Sequence, residues 1–82
     1  GGDVITAQNE TQSLAQKATI NDKKEGNVVN SGSLSGADIA ISSGELVNTS
    51  TGIINNAIII NDGELSNEGS VAKVTLNAGT FG

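Results

Sequence analysis

The sequence predicts an all-β chain, a β-solenoid (parallel β-helix) of about three to four short coils with a less regular N-terminal segment. Three observations predict it. The first is a recurring phrase: "IAISSGELVNTST" (39–51) returns nineteen residues later as "IIINDGELSNEGS" (58–70), and "VTLNAGTFG" (74–82) follows sixteen residues after that. Fixed spacing marks a repeated structural unit. The second is composition: β-branched Ile, Val and Thr suit strands, and the Gly and Asn between them suit turns with positive φ. The third is the period itself. Helical repeats generally need more than about 30 residues per unit, whereas roughly 20 fit one coil of two or three short strands.

Residues 1–26 form the first division of the chain, read as an irregular or capping segment. "NETQSLAQKATINDKKEGN" (9–27) holds three of the four lysines. Leu14 and Ala18 share a helical spacing, but Ala18-x-Ile20 followed by "ND" resembles the later repeats, which favours irregular or strand structure. Residues 27–82 form the solenoid proper. Here "NSGSL" (30–34), "SSGEL" (42–46), "STGII" (50–54), "NDGEL" (61–65), "NEGSV" (67–71) and "NAGTF" (77–81) are variants of one turn-plus-strand phrase. A turn followed at once by an apolar residue suits a chain that bends, runs briefly and bends again. No helix longer than two turns is expected beyond residue 27.

Alignment of Ile20, Ile41, Ile60 and Leu76 gives the columns, with steps of 21, 19 and 16 residues. These four, with Leu46 and Leu65 five positions after Ile41 and Ile60, are the expected core. One position after each member of the leading column stand Asn21, Ser42, Asn61 and Asn77; three after, Lys23, Gly44, Gly63 and Gly79; five after, Glu25, Leu46, Leu65 and Phe81. Coils spaced by about 4.8 Å let amide side chains bond from one coil to the next. Asn48 and Asn67, nineteen apart, are expected to make a second such ladder. The run "IINNAIII" (53–60) has the apolar, uncharged character of a self-associating segment; within a solenoid it is expected to be core at consecutive faces. Four positions after the leading column come Lys24, Glu45, Glu64 and Thr80, an expected outward column in which two glutamates oppose each other.

The bulk numbers limit partners and chemistry. At 82 residues a lone globule buries only about 60% of its unfolded surface. There is no Cys for a disulfide, no His or Cys for an ordinary zinc site, and one aromatic residue, Phe81. The net charge of −5, with four lysines and no arginine, argues against nucleic acid and against anionic lipid. The longest apolar stretch, "AIII" (57–60), is far too short to span a membrane. Gly1-Gly2-Asp3 does not open a signal peptide, so a mature or excised segment is expected.

Catalysis finds little support. Asp62 with Glu64 or Glu68 are the candidate acid–base carboxylates, but they fall in or beside turns with no aromatic residue for a sugar ring. Asp and Asn oxygens in glycine-rich turns suit calcium, yet "GGxGxD" and the EF-hand loop are absent. No phosphate-loop pattern occurs, and Ser13, Ser42 and Ser43 lack any histidine partner. A non-enzyme without metal or cofactor is expected.

At "NSGSLSG", "SSGELVNTSTGIINNA", "NDGELSNEGSV" and "LNAGTFG" the chain resembles the passenger repeats of autotransporter and filamentous-haemagglutinin-like adhesins of Gram-negative bacteria. The resemblance covers roughly residues 27–82. It implies a right-handed parallel β-helix, extracellular or on the bacterial cell surface, acting as a stalk or adhesive surface toward a host glycan or protein, and it carries over no catalytic residue. The chain is short for that family and has no translocator barrel. The alternative is a self-assembling extracellular filament or biofilm-matrix subunit whose open coil ends stack on copies of itself, as adjacent repeats of a longer chain would; Phe81 is the expected self-association residue. A carbohydrate-active β-helix fragment stands third.

Overall fold

The computed structural model describes residues 3–21 and 27–82, and it is a β-solenoid with no helix among them. The first coil is β1 (Asp3–Thr6), β2 (Thr11–Leu14) and β3 (Ala18–Ile20). The second is β4 (Asn27–Asn30), β5 (Ser33–Gly36) and β6 (Ile39–Ile41). In the third, β7 (Glu45–Asn48) is followed by one long strand, β8 (Ile53–Ile60). The fourth repeats that pattern with β9 (Glu64–Asn67) and β10 (Ser70–Leu76), and β11 (Thr80–Phe81) starts another pass.

Every strand pairing is parallel. One sheet stacks β1, β4, β7, β9 and β11; the other stacks β2 and β3 under β5 and β6, then β8, then β10. Regular structure therefore begins before residue 27: of the two expectations for that segment, irregular or strand, three strands are found, in register with β4, β5 and β6.

The core lies between the two sheets. β8 alternates strictly: Ile54, Asn56, Ile58 and Ile60 are buried, while Ile53, Asn55, Ala57 and Ile59 face outward with more exposure. The run 53–60 is thus core on one face, not on consecutive faces, because a strand's side chains alternate. Ile20, Ile41 and Ile60 stack in register and are buried, as are Leu46 and Leu65. Leu76 occupies the next position of the column, paired with Ile60, but is 52% exposed. It keeps the inward column of Ile60, in the outermost described coil.

The six glycine phrases resolve into two kinds of corner. "SSGEL", "NDGEL" and "NAGTF" lead from the long sheet to the short one, and Gly44, Gly63 and Gly79 there have φ of 81°, 84° and 86°. Any other residue is strained in that region. A Cβ on Gly63 would also come within 2.5 Å of the Gly44 carbonyl oxygen. "NSGSL", "STGII" and "NEGSV" make the opposite corner. Their Gly32, Gly52 and Gly69 are required by close approach to the neighbouring coil's backbone or to the Asn48 side chain.

Candidate functional site

Backbone pairing runs through the corners as well as the strands. At one corner Ser42, Asn61 and Asn77 donate their N–H groups to the carbonyls of Ile20, Ile41 and Ile60, each at 2.8 Å. At the other, Ser33, Ile53 and Ser70 donate to Glu10, Gly32 and Gly52, each at 2.9 Å. Each coil is therefore bonded to the one below around most of its circumference.

The side-chain ladders reinforce this pairing. Asn30 Nδ2 donates to Asn48 Oδ1 at 2.9 Å, and Asn48 Nδ2 donates to Asn67 Oδ1 at 2.9 Å. Asn48 Nδ2 also reaches the carbonyls of Gly52 and Ser70, at 3.0 and 3.1 Å. This is the expected Asn48–Asn67 ladder, extended downward by Asn30. The step from Asn30 to Asn48 is eighteen rather than nineteen residues, which hides it from a fixed-period alignment. In the other expected column, Asn77 Nδ2 donates to Asn61 Oδ1 at 2.9 Å; lower down, Ser42 presents a hydroxyl in place of an amide, and Asn21 stands one coil below Ser42.

The outward column has the expected stacked glutamates, since Glu45 pairs with Glu64 and Glu64 with Thr80. The residue below Glu45 is Asn27, the place assigned to Lys24. Lys23, Lys24 and Glu25 lie outside the described residues. One oxygen of Glu45 accepts a 2.6 Å bond from Ser66 Oγ.

The carboxylates considered for catalysis are apart in function and place. Asp62 Oδ1 accepts the N–H of Gly63 at 2.9 Å, capping its own turn. Glu64 points outward at the start of β9, and Glu68 is exposed in the corner beyond its other end. Among the described residues no three His, Cys, Asp or Glu side chains group so as to hold a metal ion. A shallow hollow at the corner between the first and third coils is lined by Gln8, Asn9, Glu10, Ser33 and Thr51, with Glu10 its one carboxylate.

The remaining surface of interest is the edge of the last coil. Beyond β10 and β11 there is no paired strand. Val71 and Val74, half-buried, stack over Ile54 and Ile58, and Leu76 and the 43% exposed Phe81 over Ile60 and Leu65. Among the described residues Phe81 and Leu76, with Ile53 on the outer face of β8, are the large apolar side chains most open to solvent.

No protein-family model matches the chain, and neither a curated protein nor a solved structure is matched by it.

Proposed function

We propose that the chain is a non-catalytic structural β-solenoid segment of a secreted bacterial surface adhesin or fibre. One observation carries the reading. The conspicuous residues of the sequence, its glycines and its Asn30–Asn48–Asn67 ladder, are spent on joining coil to coil, while Asp62 caps its own turn and Glu64 and Glu68 stand outward separately. Such a rod acts by presenting a stiff surface, and a host glycan or protein would be met along its sides. The test is to apply the labelled chain to immobilised host glycans and extracellular-matrix proteins while assaying the same glycans for chain cleavage. Saturable binding without cleavage is expected. Cleavage that disappears in Glu64→Gln or Asp62→Asn would overturn the reading in favour of a carbohydrate-active enzyme.

A second reading, a self-assembling extracellular filament, draws on the exposure of Leu76 and Phe81. It requires the first coil of one copy to fit on the last coil of another. Long uniform fibres in electron micrographs of the pure chain would favour it.

A further inference from the structure

We propose that the hollow on the flank of the first three coils binds one neutral pyranose unit of a glycan. This rests on the reading of the chain as a rod that meets glycans along its sides.

The hollow follows from unequal corners. Where the short sheet passes into the long one, four residues join the strands in the first coil (7–10) and in the third (49–52). Two join them in the second (31–32) and in the fourth (68–69). The flanking positions stay in register throughout. Before the corner they are Thr6, Asn30, Asn48 and Asn67. After it they are Thr11, Ser33, Ile53 and Ser70. Two extra residues between fixed ends must loop outward. Gln8 and Asn9 form the lower lip, Ser50 and Thr51 the upper one, and all four are exposed. Each lip is a closed turn: Glu10 N–H donates to the Ala7 carbonyl at 3.1 Å, and Gly52 N–H to the Thr49 carbonyl at 2.9 Å. The corner between them is recessed. Its Gly32 is buried so tightly over the first turn that a Cβ there would come 2.4 Å from the Ala7 carbonyl oxygen. A coil stacked below the first or above the fourth would lengthen the rod without entering the gap.

The shape sets the size of the occupant. Two lips with one recessed coil between them leave a gap one coil high, about 4.8 Å, close to the thickness of a pyranose ring lying flat. The hollow holds about 240 Å³. That is below the roughly 300–1,000 Å³ of sites for drug-sized ligands, so it takes one ring and not a length of chain. The upper lip is anchored to the recessed corner. Thr51 Oγ1 donates to the Ser31 carbonyl at 2.6 Å, and Thr49 Oγ1 to Ser31 Oγ at 2.9 Å. A wall fixed in advance reduces the ordering cost of binding.

The lining sets the chemistry. Gln8 and Asn9 bring amides that donate and accept, Glu10 a carboxylate that accepts, and Thr11 and Ser33 hydroxyls that do both. Ile53, 42% exposed, adds an apolar patch. A ring with hydroxyls around its rim and C–H groups on its face suits both kinds of surface. Among the described residues that line the hollow there is no lysine, and Glu10 is its one charge. Acidic, sulfated and phosphorylated sugars are therefore repelled. With no aromatic platform for the ring, the expected dissociation constant is about 1 mM.

The test is a titration of the isotope-labelled chain with the methyl glycosides of glucose, galactose, mannose and N-acetylglucosamine, followed by amide chemical shifts. Saturating shifts confined to residues 8–11, 32–33 and 51–53 are expected with at least one of them. None is expected with N-acetylneuraminic acid or a phosphorylated glucose. Ser33→Phe fills the gap from its floor and should abolish the shifts. Asn9→Gly keeps the left-handed turn at φ 68° while removing the lip amide. It should raise the dissociation constant about three- to tenfold, and it serves as the test if Ser33→Phe loses the native circular dichroism spectrum. No saturation by any of the four glycosides at about 100 mM, or shifts that both substitutions leave unchanged, would overturn the site. Preference for the acidic sugars would overturn the assignment to a neutral ring. Each failure is distinct from failure of the adhesive reading: a chain that binds immobilised glycans or matrix proteins while its hollow stays unperturbed is still such a rod, with its contact elsewhere.

Discussion

The first and last described coils obey the same ladder rules and yet differ in what their columns expose. Ile20 and Leu76 hold the same column, three coils apart through Ile41 and Ile60, but one is 3% and the other 52% exposed. The first coil is long, puts Gln12 where later coils have Leu, Ile and Val, and turns its corner with Asn9 in the left-handed region at φ 68°. The last coil is short and apolar at its edge. Parallel pairing alone therefore leaves the polarity of a column residue free to differ from coil to coil.

The sharpest way to break this comparison is to place a charge at two levels of one column. Ile60→Asp buries a carboxylate between Ile41 and Leu76 with no partner, and an unpaired buried charge costs several kcal/mol. That is enough to unfold a domain of this size, and loss of the strand signature in circular dichroism is expected. Leu76→Asp puts the same charge one coil higher, at a half-exposed site, and the variant should fold with a modestly lowered melting temperature. If both variants fold equally well, the column does not run into the core as described.

A smaller difference is expected within the asparagine ladder. Asn48 is fully buried; its Oδ1 accepts from Asn30, and its two Nδ2 hydrogens are shared among the oxygens of Gly52, Asn67 and Ser70. Asn48→Ala strands buried partners on both adjacent coils and should cost about 2–4 kcal/mol. Asn67 is less buried, and its amide donates only a long 3.4 Å bond to the Gly69 carbonyl. Asn67→Ala should cost about 1 kcal/mol. Denaturant titration of the two variants would measure the contrast, and equal losses would show that the ladder does not weaken toward the last coil.

The glycines extend the same logic. Gly63 is held at φ 84° with Gly44 below and Gly79 above, whereas Gly79 has only Gly63 beneath it. Gly63→Ala should destabilise by more than about 1 kcal/mol, through the left-handed strain and the approach to the Gly44 carbonyl. Gly79→Ala carries the same strain and would bring its Cβ to 2.3 Å from the Gly63 carbonyl oxygen, so its melting temperature should fall by a comparable amount.

These contrasts show what the sequence could and could not carry. The Ile41–Ile60–Leu76 column, the left-handed glycines and the Asn48–Asn67 contact were legible because the three corners after Ile41, Ile60 and Leu76 keep an invariant five residues from column to column, so residues align by counting. Of the first coil only the end at Ile20 was legible, because the coil replaces the glycine signal with Asn9 and the apolar signal with Gln12. The two kinds of corner looked alike because both read as Asn or Ser followed by Gly, although one glycine answers a dihedral constraint and the other a steric one. The exposure of Leu76 was illegible for another reason: a column states which way a side chain faces, not whether another coil covers it.

The smallest expected effect tests the register itself. Glu45 and Glu64 are direct neighbours across β7 and β9, flanked by Asn27 below and Thr80 above, so no lysine stands in their column among the described residues. Like charges directly opposed on adjacent strands are unfavourable by a few tenths of a kcal/mol. Glu45 also accepts the Ser66 hydroxyl, so it is the worse site to neutralise, and Glu64 is the better one. Glu64→Gln should raise the melting temperature at neutral pH by about 1–3 °C, and Glu45→Gln should gain less, because it weakens the bond from Ser66. Added salt screens the repulsion over a Debye length of about 10 Å at 0.1 M, so the gain from Glu64→Gln should shrink as salt rises. A loss of stability in Glu64→Gln at every salt concentration would mean that the two carboxylates are not stacked, and the pairing of β7 with β9 would have to shift.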